Sequence, residues 1–559
     1  MKKSIKVIGL GIGLLLLPIV FSAYQDKDFE LVKNLDIYHT LMRELNLFYV
    51  DETDPGSMVK SSIDGMLKTL DPYTVYIPES RMEDLELMTT GEYGGLGALV
   101  AEIDGKIVVT DPYEGFPAQK AALRAGDIIK KIDGRSIEGK SSKEVSDLMK
   151  GRVGTSVDVT LERPYVKEKI EVSLTREKIK LGNVPFYQLF EDNTAYIRLS
   201  GFTRGASKEV QDAFEEMKKK GADKVVLDLR SNPGGLLIEA VDIMNLFVPK
   251  NQEIVSTRGK TSQWDNSYSC RKEPVDTLIP IAVLVNSSSA SASEIIAGAT
   301  QDLDRGIVVG QRTFGKGLVQ TTRDLSYNSK LKLTTAKYYI PSGRCIQALD
   351  YSNRREDGSV GKVPDSLISE YKTKAGRNVY DGGGVLPDVR IENRYLSKVA
   401  TAMVYQNKFF DFATEYRNTH ESDISVKEFE LSAENYSKFT QSLLEDNFTY
   451  ETSTENELKK LISAAKREKY YDLAEDDLKA LEKKLAPDPE KDIELFKEEI
   501  SSLLSEEILS RYHYHKGRIE RSLIKDPVLL KAREVLNNEQ MYLSLLHSST
   551  TIKDLPENQ

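Results

Sequence analysis

Residues 283–296 read VLVNSSSASASEII, an apolar run followed by a cluster of serines and alanines and then by a helical pattern. This order predicts a buried strand that turns directly into a helix, because the run is apolar throughout and small residues permit a tight turn. Such a turn exposes a serine hydroxyl beside the free backbone N–H groups of the first helical turn. Those N–H groups can stabilise the oxyanion that forms when a hydroxyl attacks a carbonyl carbon. An equally good alternative is a flexible serine-rich loop, or serines that cap the helix beginning near Ser293.

Strand-like and helix-like patterns alternate on both sides of this segment, from about residue 180 to about residue 395. A helix is predicted over Ser207–Lys220, because Val210, Phe214 and Met217 share one face. Alternation of this kind predicts an α/β layer. The predicted strands are Thr194–Leu199, Lys224–Leu229, Ile281–Asn286 and Gly306–Gly310.

Two further segments of the predicted layer carry polar groups at turns. Residues 227–236 read LDLRSNPGGL, a strand that runs into paired glycines, and residues 309–320 read VGQRTFGKGLVQ. A serine hydroxyl is a poor nucleophile without a base. Residues 40–419 contain no histidine, which excludes a Ser-His-Asp triad, a Cys-His pair and a histidine-ligated zinc from an active site in that span. The histidines of the chain are His39, His420, His513, His515 and His547.

A lysine can replace histidine as the base if its amine is neutral. Its ordinary pKa of about 10.4 must then fall to about 7, which requires destabilisation of the charged form by roughly 4.6 kcal/mol. Burial in apolar surroundings can cause this shift, and Lys316 lies between two glycines close to Phe314 and Leu318. Gln320 could orient the amine without adding charge. The alternative, which is commoner for an arbitrary Gly-Lys-Gly, is a solvent-exposed turn.

A glycine-rich break, Gly91–Gly97, leads into a predicted strand, Ala98–Ile103. Consecutive backbone N–H groups near glycines can form a concave anion nest. An extended peptide could add to the edge of the strand with its terminal carboxylate in that nest. An ordinary turn is the alternative, and a phosphate-binding loop is disfavoured because no helix with Gly-Lys-Ser/Thr follows. The candidate peptide-binding residues are Gly94, Gly95, Leu96 and Gly97.

Composition narrows the classes of function further. The chain has 559 residues and a formal net charge of −10, which argues against a nucleic acid partner. Its two cysteines, Cys270 and Cys345, exclude a disulfide-rich scaffold, cysteine-rich zinc sites and iron–sulfur clusters. We expect neither a metal nor a cofactor.

The N-terminus predicts export. A basic start, MKK, precedes an apolar run that is uninterrupted from Val7 to Phe21 and shorter than the roughly 20 residues of a membrane span. Small residues follow at positions 22 and 23, as in a secretory signal. We therefore predict a signal peptide over residues 1–23 and a location in the periplasm or cell envelope. The alternative is an uncleaved N-terminus that associates with the membrane.

The segments Asn286–Ile296 and Thr313–Gln320 resemble the signature of the carboxyl-terminal processing proteases, also called tail-specific proteases, which are serine peptidases with a Ser-Lys dyad. The resemblance covers roughly residues 35–395. It implies a catalytic layer of the Clp-protease/crotonase type. The roles that it implies are nucleophile for Ser291, general base for Lys316, support of the base for Gln320, and oxyanion donors for Ala292 with Gly234 or Gly235.

A second resemblance concerns residues 91–176, which are similar to a PDZ domain in its permuted bacterial form. It is carried by the glycine-rich break together with Gly115–Ala118 and Leu123–Gly134. It implies capture of protein or peptide substrates with apolar C-termini. Three positions depart from the protease pattern, since Ser288 replaces a usual glycine, Tyr73 a common histidine and Cys345 a small polar residue.

The predicted fold is therefore α/β, with an inserted β-rich PDZ domain and α-helical N- and C-terminal regions. The predicted function is that of an exported serine endopeptidase. The alternatives are a non-catalytic peptide-binding scaffold of the same fold and a crotonase-like enzyme that acts on acyl-thioesters. The C-terminal helices either pack as solvated faces on a core, or they form a homo-oligomer or a cage around the substrate. The predicted segments are a signal peptide (1–23), an N-terminal helical region (24–90), a PDZ domain (91–176), a Ser-Lys peptidase domain (177–395) and a C-terminal helical region (396–559).

Overall fold

The computed structural model describes residues 28–355, 357–392, 395–420 and 422–547, so the predicted signal peptide lies outside the described residues. Contacts divide the chain into two units. The first runs through Pro78 and includes Gln320–Thr334, and the second comprises Glu79–Val319 and resumes at Thr335. None of the helices in the described ranges combines the length and the apolar character needed to span a membrane.

The chain begins with helices, as its periodicity predicts. Helix α1 covers residues 28–48, and Asp54 caps helix α2 by accepting a hydrogen bond from the N–H of Gly56. The apolar side chains of α1 are largely exposed, including Phe29 and Leu35. The following elements are α2 (Pro55–Lys68), β1 (Val75–Ile77), a 3₁₀ turn (Glu79–Arg81) and α3 (Met82–Thr90).

A β-rich module follows, with strands where the alternating pattern predicts them. Strands β3, β4, β5, β7 and β8 form one antiparallel sheet in that order, β6 pairs with β5, and β2 pairs with β9. Val109, Val145 and Leu161 are fully buried in its core. The elements are β2 (Glu92–Gly95), β3 (Ala98–Ile103), β4 (Lys106–Pro112), α4 (Pro117–Lys120), β5 (Ile128–Ile132), β6 (Arg135–Ser136), α5 (Ser142–Met149), β7 (Ser156–Glu162), β8 (Lys169–Thr175) and β9 (Glu177–Lys180).

The α/β layer is built on a six-stranded sheet of order β10-β11-β12-β15-β16-β23. All neighbours are parallel except β10 and β11. Every residue of β15 is buried, as expected for a parallel strand covered on both faces. The elements are β10 (Phe186–Leu189), β11 (Thr194–Arg198), α6 (Ala206–Lys219), β12 (Lys224–Asp228), α7 (Leu237–Met244), β13 (Glu253–Gly259), a 3₁₀ turn (Ser262–Trp264), β14 (Asn266–Ser269), β15 (Ile281–Val285), α8 (Ala292–Asp302) and β16 (Ile307–Gly310).

Short strands follow β16, and the last of them, β23, forms the edge of the six-stranded sheet. Residues 330–332 of β18 pair with β1 in the first unit, and residues 336–339 pair with β13 in the second. Strand β17 pairs with β18, β19 with β20, and β21 with β22. The elements are β17 (Leu318–Asp324), β18 (Lys330–Tyr339), β19 (Leu349–Arg354), β20 (Val360–Lys362), a 3₁₀ turn (Asp365–Leu367), β21 (Glu370–Lys372), β22 (Asn378–Tyr380) and β23 (Val389–Arg390).

The remainder of the described chain is helical. Helix α15 is kinked, since His513 and Tyr514 have non-helical backbone angles. Helix α13 ends at Leu485, directly before the prolines that predict its end. The elements are α9 (Lys398–Tyr405), α10 (Lys408–Thr419), α11 (Ala433–Glu445), α12 (Ser453–Glu468), a 3₁₀ turn (Tyr471–Leu473), α13 (Glu475–Leu485), α14 (Pro489–Leu495), α15 (Lys497–Leu523), α16 (Pro527–Leu536) and α17 (Glu539–His547).

The two faces of the six-stranded sheet are covered by helices from different parts of the chain. Helices α6, α7 and α8 cover one face. The end of α15 together with α16 and α17 covers the other, where Leu529, Ala532 and Val535 are buried against Val226 and Leu284. The helices that cover the second face therefore lie after residue 395, where the peptidase domain is predicted to end.

Candidate active site

Ser291 lies at the sharp turn between β15 and α8, where the serine cluster predicts it. Its backbone angles are φ 56° and ψ −114°. A residue with a Cβ atom rarely adopts this conformation, which costs roughly 1–3 kcal/mol. The same kind of turn presents the nucleophilic serine of other hydrolases. The flexible-loop alternative is wrong, because Ser289 is fully buried and its Oγ donates to the carbonyl of Leu229 at 2.8 Å.

The Asn-Pro-Gly-Gly turn packs directly against Ser291. Asn232 is fully buried, and its carbonyl accepts hydrogen bonds from the Ala290 N–H at 3.0 Å and the Ser293 Oγ at 2.9 Å. Gly234 has φ 96°, and a Cβ atom there would lie 2.6 Å from the Ala290 oxygen and 2.8 Å from the Ser291 Cβ. Only glycine allows this close approach of the two segments.

Two of the three backbone N–H groups that the resemblance implies as oxyanion donors are uncommitted among the described residues. Across the described ranges, no acceptor is recorded for the N–H of Ala292 or of Gly235. The N–H of Gly234 instead donates to Oδ1 of Asn232 at 2.9 Å. Of the two glycines that the sequence offers as oxyanion donors, Gly235 therefore has the uncommitted group in this structure.

Lys316 lies in a partly buried loop, so the alternative of a solvent-exposed turn for Gly-Lys-Gly is wrong. Gly315 and Gly317 are buried, and Lys316 is half-buried. A Cβ atom on Gly315 would lie 2.4 Å from the Cβ of Ala348, and one on Gly317 would lie 2.8 Å from the N of Gln347. The glycines therefore let this loop pack tightly against the 347–348 segment.

Glu294 joins the serine turn to the lysine loop, and sequence reasoning missed it. Its Oε2 accepts the backbone N–H groups of Ser291 and Lys316, each at 2.8 Å. Its Oε1 accepts the Thr313 hydroxyl at 2.6 Å and the Gly315 N–H at 2.7 Å. Burial raises the pKa of Glu294 to about 7, against the effect of these donors. The sequence feature that could have identified Glu294 is its position as an acidic residue in the first turn of a predicted helix.

Gln320, the residue predicted to support the base, lies in the first unit. Its Nε2 donates to the Thr334 hydroxyl at 3.2 Å. The backbone N–H of Thr334 in turn donates to the hydroxyl of Thr74 at 3.2 Å. The structure thus places Gln320 in a polar network with two threonines. Its predicted role toward the base stays a prediction.

A buried ion-pair network next to the Asn-Pro-Gly-Gly turn was also missed. Arg230 contacts the carboxylates of Asp228 and Asp526, each at 2.6 Å. The Tyr196 hydroxyl donates to Asp228 at 2.7 Å. Burial alone would raise the pKa of Asp228, but Arg230, Arg198 and the Tyr196 hydroxyl together lower it below its ordinary value. Because Asp526 caps α16, this network connects the C-terminal helices to the strand that leads into the turn.

The glycine-rich break of the β-rich module lies next to an edge strand. Gly94 and Gly95 belong to β2, where they pair with Lys178 and Glu177. No acceptor is recorded among the described residues for the N–H of Leu96 or of Gly97, whose φ is 73°. Strand β3 follows at the end of its sheet, with only β4 as a neighbour in the described part of the chain. An edge strand beside two available N–H groups suits an extended peptide terminus.

The two cysteines are unpaired thiols, so the structure contains no link between them. Cys270 is buried in the core of the α/β layer, and Cys345 is partly exposed.

Three segments of the chain match known families. Residues 193–352 match peptidase family S41, and residues 94–174 match the PDZ domain. Residues 399–536 match a family described as "Probable PDZ-protease, C-terminal helical domain".

Curated relatives match over much of the chain. A carboxy-terminal-processing protease of Bartonella bacilliformis is 37% identical over 368 residues, which are 65% of this chain and 82% of that protein. A Staphylococcus aureus protein named "Probable CtpA-like serine protease" is 38% identical over 316 residues, 56% of this chain and 62% of that protein. The second alignment thus spans less than two thirds of that relative.

Solved structures match as well. A photosystem II D1 C-terminal processing protease is 31% identical, with 63% of this chain and 86% of that chain covered and a TM-score of 0.35. The PDZ domain of a carboxy-terminal protease from Vibrio cholerae, solved in complex with a peptide, is 25% identical, with 16% and 99% covered and a TM-score of 0.15.

Proposed function

The chain belongs to peptidase family S41 and is a serine-type carboxy-terminal-processing protease with a PDZ domain, and from this membership we propose that Ser291 and Lys316 form its catalytic dyad. The resemblance drawn from the sequence is confirmed at the level of the family and of the PDZ domain. The non-catalytic scaffold and the acyl-thioester enzyme have no support from these matches.

The proposed reaction begins at the Ser291 hydroxyl. Its oxygen attacks the carbonyl carbon of the scissile peptide bond while the neutral amine of Lys316 accepts the hydroxyl proton. The N–H groups of Ala292 and Gly235 stabilise the tetrahedral oxyanion. Lys316 then donates the proton to the leaving amine, which yields an acyl-enzyme and a released C-terminal fragment. A water molecule, deprotonated by Lys316, hydrolyses the ester and restores the serine.

The observation that carries this proposal is the pair of hydrogen bonds to Glu294. One oxygen of a buried carboxylate receives the backbone N–H groups of both Ser291 and Lys316. This arrangement supports a dyad because it holds the two residues at one place in the fold. The strained backbone of Ser291 supports it further, since strain of this kind persists only where surrounding contacts impose it.

Substrate recognition is proposed for the PDZ domain. A protein tail with apolar terminal residues would add to the edge of β3, with its carboxylate at the N–H groups of Leu96 and Gly97. Leu99 on β3 and Leu148 on α5 expose apolar surface, with 50% and 42% of each residue accessible. That surface suits apolar side chains of the tail. The chain upstream of the tail would then reach Ser291.

Cellular location and assembly complete the proposal. The N-terminal pattern favours export to the periplasm or cell envelope, and an uncleaved leader would attach the protein to the membrane.

The exposed apolar side chains of α1 favour a homo-oligomer. Light scattering of the exported protein, with and without residues 28–50, tests the assembly. An unchanged mass would contradict a role for α1.

The test of the dyad uses an unfolded protein substrate with an apolar C-terminus. Ser291→Ala and Lys316→Ala should each reduce kcat/KM at least about 10³-fold, because removing either member of a unit disables it. Ser288→Ala and Lys260→Ala, which alter exposed residues, serve as matched controls. Cleavage at the wild-type rate by either dyad variant would refute the mechanism. A serine-directed covalent probe should label Ser291 and leave the Ser291→Ala variant unlabelled.

A further inference from the structure

The segment between β12 and the Asn-Pro-Gly-Gly turn is held at its start by one carboxylate. Asp228, the last residue of β12, is fully buried. Its Oδ1 accepts the backbone N–H of Arg230 at 2.9 Å, and its Oδ2 accepts Nη2 of the same arginine at 2.6 Å. Because the backbone and the side chain of Arg230 bind one carboxylate, the position of the guanidinium is linked to that of the chain at the start of the turn.

Arg230 also binds the first helical residue group after residue 525. Its Nη2 contacts Oδ2 of Asp526 at 2.6 Å, and the side chains of the two residues are only 17% and 11% exposed. Oδ1 of Asp526 accepts the backbone N–H groups of Val528 and Leu529 at 2.9 and 3.2 Å. One oxygen of Asp526 thus caps α16 while the other binds the arginine, so the start of this helix is tied to the turn.

The backbone between Arg230 and the paired glycines is strained. Ser231 has φ 58°, a conformation that costs a residue with a Cβ atom roughly 1–3 kcal/mol. Its N–H donates to Oδ1 of Asn286 at 2.9 Å, and Nδ2 of Asn286 donates to the Ser231 hydroxyl at 3.1 Å. Strain of this kind persists only where surrounding contacts impose it. The contacts of Arg230 and Ser231 therefore set the path of the chain toward Gly235, a proposed oxyanion donor.

A second ion pair joins α16 to the opposite end of the sheet. Nε of Arg533 donates to Oδ2 of Asp192 at 3.0 Å. Asp192 precedes β11, whereas Asp228 ends β12, and these two strands are parallel neighbours. Both ion pairs hold the helix to the sheet, but of the two it is the pair with Asp526 that lies beside the turn. The pair with Asp192 therefore provides a control for attachment of the helix alone.

We propose that Asp526 is a positioning residue of the active site, which acts through Arg230 to hold the Asn-Pro-Gly-Gly turn where the N–H of Gly235 meets the oxyanion. Without a carboxylate at position 526, Nη2 of Arg230 loses one of the two carboxylates that it contacts. Removing one partner of a mostly buried ion pair is costly, so the guanidinium moves toward water and displaces the turn. This role of Asp526 rests on the proposed function of Ser291 and Gly235, and it makes the start of α16 part of the catalytic unit.

Replacement of Asp526 by asparagine tests this role in the full chain, because asparagine also caps helices but carries no charge. On an unfolded protein with an apolar C-terminus, kcat should fall roughly 10²-fold, the usual effect of a displacement of about 1 Å, with KM changed less than about threefold. Asp192→Asn, which breaks the other ion pair of α16, should keep the wild-type kcat. A wild-type kcat in Asp526→Asn, or an equal loss in both variants, would overturn the proposal.

Two further measurements separate positioning from the stability of the helix. Asp526→Glu keeps the carboxylate, so it should recover at least about tenfold of the kcat that Asp526→Asn loses. A peptide aldehyde, which forms a tetrahedral hemiacetal with a serine hydroxyl, should bind Asp526→Asn at least about tenfold more weakly than the wild type. Equal kcat values for the glutamate and asparagine variants, or unchanged aldehyde binding, would refute the role of Asp526. If Asp526→Asn does not fold, Asp526→Ser, which also caps helices, takes its place with the same expected losses.

The Ser291→Ala variant distinguishes failure of this role from failure of the proposed function. If Ser291→Ala is inactive while Asp526→Asn has the wild-type kcat, the role of Asp526 alone is wrong. If Ser291→Ala cleaves the substrate at the wild-type rate, the proposed function is refuted and the role of Asp526 with it.

Discussion

Ser291 and Lys316 donate their backbone N–H groups to the same atom, Oε2 of Glu294, and each hydrogen bond is 2.8 Å long. This oxygen sets the distance between the start of α8 and the lysine loop, because both donors must remain within hydrogen-bond range. Glu294 thus acts through the backbone of both proposed dyad members. It is a positioning residue in the proposed mechanism.

Replacement of Glu294 by glutamine should lower kcat while the fold is kept. The amide presents an NH₂ group where a carboxylate oxygen now accepts two donors, so the serine turn and the lysine loop shift apart. We expect kcat to fall roughly 10²-fold, the usual effect of a displacement of about 1 Å, with KM little changed. Glu209→Gln is the matched control, because Glu209 also accepts backbone N–H groups but at Asn183 and Val184. Equal kcat values for both variants would contradict the role of Glu294.

The stability of the protein should carry the pH signature of Glu294. Burial raises the pKa of Glu294 from an ordinary value of 4.5 to about 7, so the folded state holds this proton more tightly than the unfolded state. The associated stability is present below about pH 4.5 and is lost as the pH rises to about 7, by about 3 kcal/mol in total. Urea unfolding of wild type and Glu294→Gln over this range should therefore give diverging free energies. If the unfolding free energies of the two proteins change in parallel with pH, a pKa of about 7 for Glu294 is wrong.

Gly234→Ala should inactivate the enzyme without unfolding it. The added Cβ would lie 2.6 Å from the Ala290 oxygen and 2.8 Å from the Ser291 Cβ, so it must displace the serine turn. We expect a loss in kcat of at least about 10²-fold, with circular dichroism unchanged. Gly65→Ala is the control, since no atom lies within 4 Å of a Cβ there. Retained activity in Gly234→Ala would show that this close packing is not required.

Gly97→Ala should impair recognition of substrate tails. Both the φ of 73° and the 2.4 Å approach of a new Cβ to the Phe116 Cβ disfavour alanine, and the nest N–H groups would move. KM for a protein with an apolar C-terminus should rise about tenfold, while a substrate without such a tail is unaffected. Gly105→Ala is the control that carries the backbone strain without the steric contact. Its φ is 70°, and no atom lies within 4 Å of an added Cβ. If both variants behave alike, the contact with Phe116 does not matter.

The C-terminal helices should be required for the stability of the catalytic layer. Leu529 is fully buried on the second face of the sheet, whereas its neighbour Leu530 is 47% exposed. Leu529→Ala should lower the free energy of unfolding by about 2–5 kcal/mol. Leu530→Ala should change it by no more than about 0.5 kcal/mol. Denaturant unfolding measures both. Equal midpoints would contradict the packing of α16 against the sheet.

Sequence patterns predicted the local elements well, for physical reasons that act over short distances. The apolar run before Asn286 predicts a buried strand, and the small residues after it predict the turn at Ser291. The lack of histidine between residues 40 and 419 directs attention to Lys316 as the base. Each inference needs only the chemistry of neighbouring residues, so the candidate dyad could be predicted from the sequence.

Contacts between distant segments were decided by the tertiary structure alone. In the sequence, Glu294 is an ordinary acidic residue in the first turn of a helix. Only in the folded chain does the lysine loop pack onto it and exclude water. The exposed-turn alternative for Lys316 is wrong because Ala348 and Gln347 pack against its flanking glycines. The charged C-terminal segment contains the second helical layer, since α16 finds its apolar partners on β12 and β15. Periodicity identifies an apolar face, but only the folded chain shows which surface buries it.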